Sequence, residues 1–249
     1  MNRWMLGCAG TATLGALSLV GLWLYVQEPI PQGQTGAAAE ALTQSLETAA
    51  GIAAWQKTGA IRWKFAGHAH LWDRDRKLYR LEDGNAVVLL DLETRLGRAW
   101  DAEEELSGSD RSDALEQAWS TWCNDTFWLN PLEKLRDPGI TRSLVDLDDG
   151  RKGLLVSYAS GGVTPGDSYL WIPGEQDRPS AWKMWVSISP IPGIEISWEG
   201  WTKLETGAWV STRHQIGPLT MTLNKVEAAA SLAELLDGED DPFAPLRGS

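Results

Sequence analysis

Residues 60–73 read AIRWKFAGHAHLWD. Ile61, Trp63 and Phe65 alternate with Arg62 and Lys64, and a two-residue period is the signature of a half-buried strand. The spacing predicts that the strand continues through Gly67 to Asp73. Working outward, the runs Lys77–Glu82, Ala86–Asp91 and Leu96–Trp100 read as further short strands, with Asp83-Gly84-Asn85 as a turn between two of them. Residues 109–135 change character. Leu115, Ala118, Trp119 and Trp122 recur at steps of three and four, which predicts an amphipathic helix capped by Asp110 or Ser112. Asn130-Pro131 breaks it, and Asp137-Pro138-Gly139 closes the segment in a turn.

Strands resume at Thr141–Leu147, Gly153–Ala159, Ser168–Ile172, Ala181–Ser187, Ile194–Leu204, Ala208–Gln215 and Leu219–Val226. Glu227–Leu236 reads as a short helix. Strands, then a helical insert, then consecutive strands is not the β-α alternation of a parallel sheet. The expected fold is mainly β in the α+β class. Its form is a curved antiparallel sheet or unclosed barrel, with the helical insert covering the concave face.

The chain has 249 residues, with Lys plus Arg 22 against Asp plus Glu 34 and a net charge of −12. That balance excludes a general nucleic-acid-binding role, because phosphate contacts need a basic face. From Trp4 to Val26 run 23 residues without a charge, long enough for a spanning helix. Arg3 precedes the run, so it is expected to anchor the chain in an inner membrane with the remainder in the periplasm. A cleaved signal peptide releasing a secreted domain, and a lipid-modified Cys8, are the alternatives. Residues 27–41 then form a linker, 42–240 a single domain, and 241–249 a loose end after an acidic stretch. Cys8 and Cys123 fall on opposite sides of the linker, so no disulfide framework is expected.

Three segments are familiar together: HLWDRDRKLYRLE at 70–82, NDTFWLNPLEKLRDPGI at 124–140 and GGVTPGDSYLWI at 161–172. They resemble an uncharacterised family of bacterial envelope proteins. That family carries Asn-Asp-x-x-Trp-Leu (here Asn124, Asp125, Trp128, Leu129), then Lys-Leu-x-Asp-Pro-Gly (Lys134 to Gly139), then Gly-Val-Thr-Pro-Gly-Asp (Gly162 to Asp167). The resemblance implies no established activity. In element order, and in the Gly67, Leu71, Trp72 segment, the layout also looks like the Lol-type lipoprotein carriers. That likeness implies an unclosed barrel whose helices plug an apolar cavity for acyl chains, and licenses a functional expectation only by analogy of fold.

His68 and His70 share a strand face at i and i+2, and with Asp73 they are the candidate metal ligands. The plain alternative is a hydrogen-bonded pair on a sheet. Ser168 lacks the context of a nucleophile, with no Gly-x-Ser-x-Gly around it. Asp125, Asp137 and Asp167 read first as turn formers or caps, so no catalytic residue is assigned and no cofactor is expected. Fifteen Trp against three Phe is the oddest feature of the composition. Trp63, Trp72, Leu115, Trp119, Trp122, Trp185 and Trp198 are the expected lining of an apolar site, with plain core packing as the alternative. The expected function is a membrane-tethered, non-enzymatic domain binding a lipid or acylated protein. A metal-dependent or carboxylate-dependent hydrolase using His68 and His70, and a ligand-free scaffold, are the competing readings.

Overall fold

The computed structural model describes residues 28–159 and 166–247. Helix α1 (Ala37–Ala49) comes first and buries Ala39, Thr43, Leu46 and Glu47, one stripe at helical spacing. A single turn, α2 (Ile52–Trp55), follows.

The 60–73 stretch is a hairpin rather than one strand: β1 (Ala60–Phe65) and β2 (His68–Asp73). Ala66 and Gly67 join them with φ of 51° and 94°, the two-residue connection whose twist suits a hairpin. The alternation itself flips phase there, from odd positions (61, 63, 65) to even ones (68, 70, 72). Cross-strand pairs Ile61–Trp72, Trp63–His70 and Phe65–His68 therefore put both sets on one face. β3 (Leu78–Asp83), β4 (Ala86–Asp91), β5 (Gly97–Asp101) and the two-residue β6 (Glu104–Glu105) continue the meander. Helix α3 (Gly108–Leu129) then runs into a 3-10 turn at Pro131–Lys134, as Asn130-Pro131 dictates.

A second set follows: β7 (Ile140–Asp146), β8 (Lys152–Tyr158), β9 (Ser168–Pro173), β10 (Pro179–Trp185) and β11 (Ile194–Ser197). Two ribbons, β12 (Thr202–Lys203) with β13 (Trp209–Val210) and β14 (Arg213–Ile216) with β15 (Leu219–Thr222), precede β16 (Asn224–Ala229) and the short helix α4 (Leu232–Leu236).

The strands make two main antiparallel sheets, ordered β16-β1-β2-β3-β4-β5-β6 and β11-β10-β9-β8-β7. The fold is mainly β, in the α+β class, and no barrel closes among the described residues. Part of the segment read as a helix from Glu227 is strand β16, which returns to pair with β1. There Arg62 meets Glu227 at 2.6 Å.

The inner face of the first sheet carries Ile61, Trp63, Phe65, Trp72, Tyr79, Leu81, Val88 and Leu90. α3 covers it with Ala118 and Leu129, and with Leu115, Trp119 and Trp122 packed alongside. Side chains of this size contribute about 1.5–3 kcal/mol each when fully buried. Close approach needs a glycine at Gly97, where a Cβ would lie 2.0 Å from the Leu89 carbonyl oxygen and 2.8 Å from Leu115. The second sheet buries Leu154, Val156, Tyr169, Trp171, Trp182 and Ile196 beneath α1 residues Ala39 and Leu46. Arg74 ties the two halves: it stacks on Trp55 and Trp72, 4.7 and 5.0 Å from their centroids, and reaches Glu133 at 3.1 Å.

The ends of the chain depart from expectation. In the stretch read as a linker, Gln34 exchanges two backbone hydrogen bonds with Leu144 on β7 (2.9 and 2.8 Å), and Glu28 pairs with Lys183 at 2.7 Å. At the other end Phe243 is fully buried against Leu71, Leu89 and α4, and Asp241 pairs with Arg76 at 2.8 Å, so this part of the acidic end is packed, not loose. The expectation of a membrane anchor, and with it the single-pass inner-membrane and periplasmic placement, is corrected. No helix among the described residues is long and apolar enough to cross a membrane. The 4–26 run and Cys8 lie outside those residues.

Candidate functional site

Helix α3 presents different chemistry to its two neighbours. Toward the first sheet it sends Asp125, which is buried. Asp125 Oδ2 lies 3.0 Å from His68 Nδ1 and 3.3 Å from His70 Nε2. The first contact is a hydrogen bond; the second is off the line of one, and His70 Nε2 is left buried with no hydrogen-bond partner. On its far side, His70 Nδ1 is 2.7 Å from the Tyr79 hydroxyl. The Trp63 ring stacks on His70 at 4.3 Å and 9° and fixes its plane. Asn124 donates to the second oxygen, Asp125 Oδ1, at 2.8 Å.

Burial pushes the His70 imidazole below its ordinary value, although Asp125 opposes this. The ring is therefore neutral at pH 7. For Asp125, burial acts upward, but the imidazoles of His70 and His68 and the amide of Asn124 outweigh it and hold the carboxyl below the ordinary range. Burial also places the Tyr79 hydroxyl well above its usual range, so it stays protonated.

Asp73, the carboxylate expected beside the histidines, is not in this cluster. It has the opposite parity on β2 and bonds the Arg76 backbone N–H at 3.0 Å and its guanidinium. Asp125, 57 residues beyond His68 in the chain, takes its place. His214 is elsewhere, fully buried among Trp198 and Trp128, with Nδ1 3.2 Å from the Ser197 carbonyl oxygen.

Toward the second sheet, the C-terminal half of α3 borders a cavity of about 620 Å³. Trp119, Trp122, Phe127 and Trp128 form the helix wall; Tyr158, Tyr169, Trp182 and Met184 form the sheet wall. Ile188, 75% exposed, stands at the rim. Lys134, Asp137 and Asn124 add a polar margin. Three lining side chains carry a buried donor without a hydrogen-bond partner: Trp122 Nε1, Tyr158 OH and Trp182 Nε1. Such donors are costly unless something accepts from them.

Of the residues expected to line an apolar site, Trp119 and Trp122 do so. Trp63, Trp72 and Leu115 belong to the core of the first sheet, and Trp198 to that of the second. Trp185 stands on the reverse face, where its indole donates to the Glu28 carbonyl oxygen at 2.6 Å. Phe127, Tyr158, Tyr169 and Met184 were not singled out by sequence, where nothing told lining from packing. Asp137 and Asp167 border the cavity, while Asp125 does not, so the three carboxylates form no single group. Asp167 accepts from the Ser187 N–H at 3.1 Å. Ser168 is buried and bonded to Ser157 Oγ at 2.8 Å, which is no setting for a nucleophile. Residues 160–165, most of the Gly162–Asp167 motif, lie outside the described residues.

A groove on the outer face of the first sheet is lined by Arg62, Arg80, Glu82 and Glu227, already paired as Arg62–Glu227 and Arg80–Glu82. No protein-family model matches the chain, and no curated protein matches it at a significant level.

Proposed function

We propose that this protein is a non-enzymatic binder of an apolar ligand with an acceptor end, a lipid or acylated molecule, held between α3 and the second sheet. The observation that carries the reading is the aromatic-walled cavity with its polar margin of Lys134 and Asn124. Its volume falls within the range of small-molecule sites, about 300–1,000 Å³. Lys134 and Asn124 at the margin suit a carboxylate or ester oxygen, and the aromatic walls suit a hydrocarbon chain. The analogy of element order with lipoprotein carriers points the same way.

Each methylene placed in such a space contributes about 0.8 kcal/mol. A sixteen-carbon fatty acid is expected to bind with a micromolar Kd, about 8 kcal/mol net after ordering costs. Titration of the full chain with palmitate should shift its tryptophan fluorescence saturably, because three of the lining residues are tryptophans of α3. Trp122→Asp should abolish the shift. Trp122 also packs edge-on against Trp72, so Met184→Trp, which fills the cavity from the sheet side, is the companion variant. Absence of any shift with palmitate, its methyl ester or a lysophospholipid would leave the scaffold reading in its place.

A further inference from the structure

The cluster on the other side of α3 gathers two imidazoles about one buried carboxylate. A single carboxylate oxygen, Asp125 Oδ2, is approached by two imidazole nitrogens at 3.0 and 3.3 Å. One of them, His70 Nε2, is fully buried, 3.3 Å from that oxygen and off the line of a hydrogen bond to it. One ligand atom from each of the three residues lies within 4.8 Å of the others. Two ligands of a tetrahedral zinc ion, each about 2.0–2.1 Å from the metal, stand roughly 3.3 Å apart. The separations to Asp125 Oδ2 are thus close to the edge of such a coordination shell.

The surroundings match as well. Ligating histidines ordinarily engage their second nitrogen with an outer partner that fixes ring and tautomer, and His70 does this with Tyr79. The free oxygen of Asp125 is held by Asn124. The ring of His70 is clamped by Trp63. His68 is partly open to solvent, and the exposed Asp83 lies 3.8 Å from its Nε2, which gives a cation a way in. Two imidazoles and one carboxylate are the donors that suit zinc and its neighbours rather than magnesium or calcium.

We infer that His68, His70 and Asp125 bind one divalent cation of the zinc class. The two nitrogens and the carboxylate supply three ligands, the number found where zinc keeps one position for water or another small ligand. The site stands independently of the apolar cavity: none of its three ligands lines that cavity, and either can fail without the other.

The test uses the full chain, dialysed against a chelator and then titrated with zinc chloride by calorimetry and with cobalt chloride by visible absorption. One equivalent of each should bind, and cobalt should give the visible bands of a four-coordinate nitrogen–oxygen site. Asp125→Asn and His68→Ala should each weaken zinc binding at least tenfold. Tyr79→Phe, which removes only the outer partner of His70, should weaken it about 10–100-fold. Asp75→Asn, an exposed acid in the turn between β2 and β3, should leave it unchanged. His68 is partly exposed, so its variant keeps the test sound should a buried one fail to fold. No stoichiometric uptake, or equal uptake by the wild type, His68→Ala and Asp125→Asn, would overturn the assignment.

Discussion

Replacing Trp182 with alanine is expected to destabilise the protein by about 3–5 kcal/mol, the usual cost of emptying a buried aromatic site. For a chain of this size that lowers the melting temperature by roughly 6–20 °C. Trp182 is fully buried on β10. Its ring centroid lies 4.8 Å from Tyr169, 4.9 Å from Trp171 and Trp198, 5.3 Å from Trp128 and 5.6 Å from Phe127. Two of these partners, Phe127 and Trp128, belong to α3, so the substitution loosens the helix as well as the sheet. Partial collapse around the vacated space would bring the value toward the lower figure. Urea or thermal unfolding followed by circular dichroism checks it. A loss under about 1 kcal/mol would mean that these rings do not form a packed unit.

Acid is expected to weaken the fold between about pH 6.5 and pH 4, with His214 as the main cause. Its side chain is fully buried and stacked edge-on against Trp198 at 4.4 Å. Burial lowers its pKa to about 4, and the Ser197 carbonyl only partly opposes this. In the unfolded chain the value returns to about 6.5. Between the two, the unfolded state holds a proton that the folded state lacks, so stability rises with pH across this window. The contribution is complete above pH 6.5 and is lost as the pH falls toward 4. The shift corresponds to about 3 kcal/mol. Burial moves His70 in the same direction. Unfolding free energies from urea titrations at pH 7.5 and pH 4.5 should therefore differ for the wild type by about 2–3 kcal/mol more than for His214→Gln. Equal acid sensitivity in the two proteins would assign the loss to other groups.

Much of the fold was legible because short strands announce themselves by alternation. Ile61, Trp63 and Phe65 point inward as their period requires, and the run of such segments without intervening helices excludes a parallel sheet. Leu115, Ala118, Trp119 and Trp122 mark the face by which α3 docks. The partnership of β16 with β1 was not legible. Residues 227–229 carry Glu and Ala, good helix formers, and become strand because β1 offers them an edge more than 160 positions away. The division into two sheets is equally non-local.

The site divides along the same line. His68 and His70 share a face by simple parity, and parity alone also puts Asp73 on the reverse one. Asp125 could not be joined to them from sequence, since how a helix docks on a sheet is written in no local pattern. For the tryptophans, residue type signalled burial but not whether the neighbour would be protein or cavity. Trp119 and Trp122 border the space as well as packing on the first core, while Trp63 and Trp72 lie wholly within that core.

A sheet edge is an unfinished row of donors and acceptors, and a foreign strand can complete it. The seven-stranded sheet ends at Glu104–Glu105, where a newcomer finds two residues to pair with, both exposed and both negative. The protein around them carries a net charge of −12, which repels a second copy before contact. At β7 the vacancy is already taken in part: the backbone of Gln34 pairs with Leu144, occupying the rung that another molecule would use. Growth of one molecule onto the next by strand addition, the route to fibres and amorphous aggregates, meets a short, negative edge at the first place and a partly occupied one at the second.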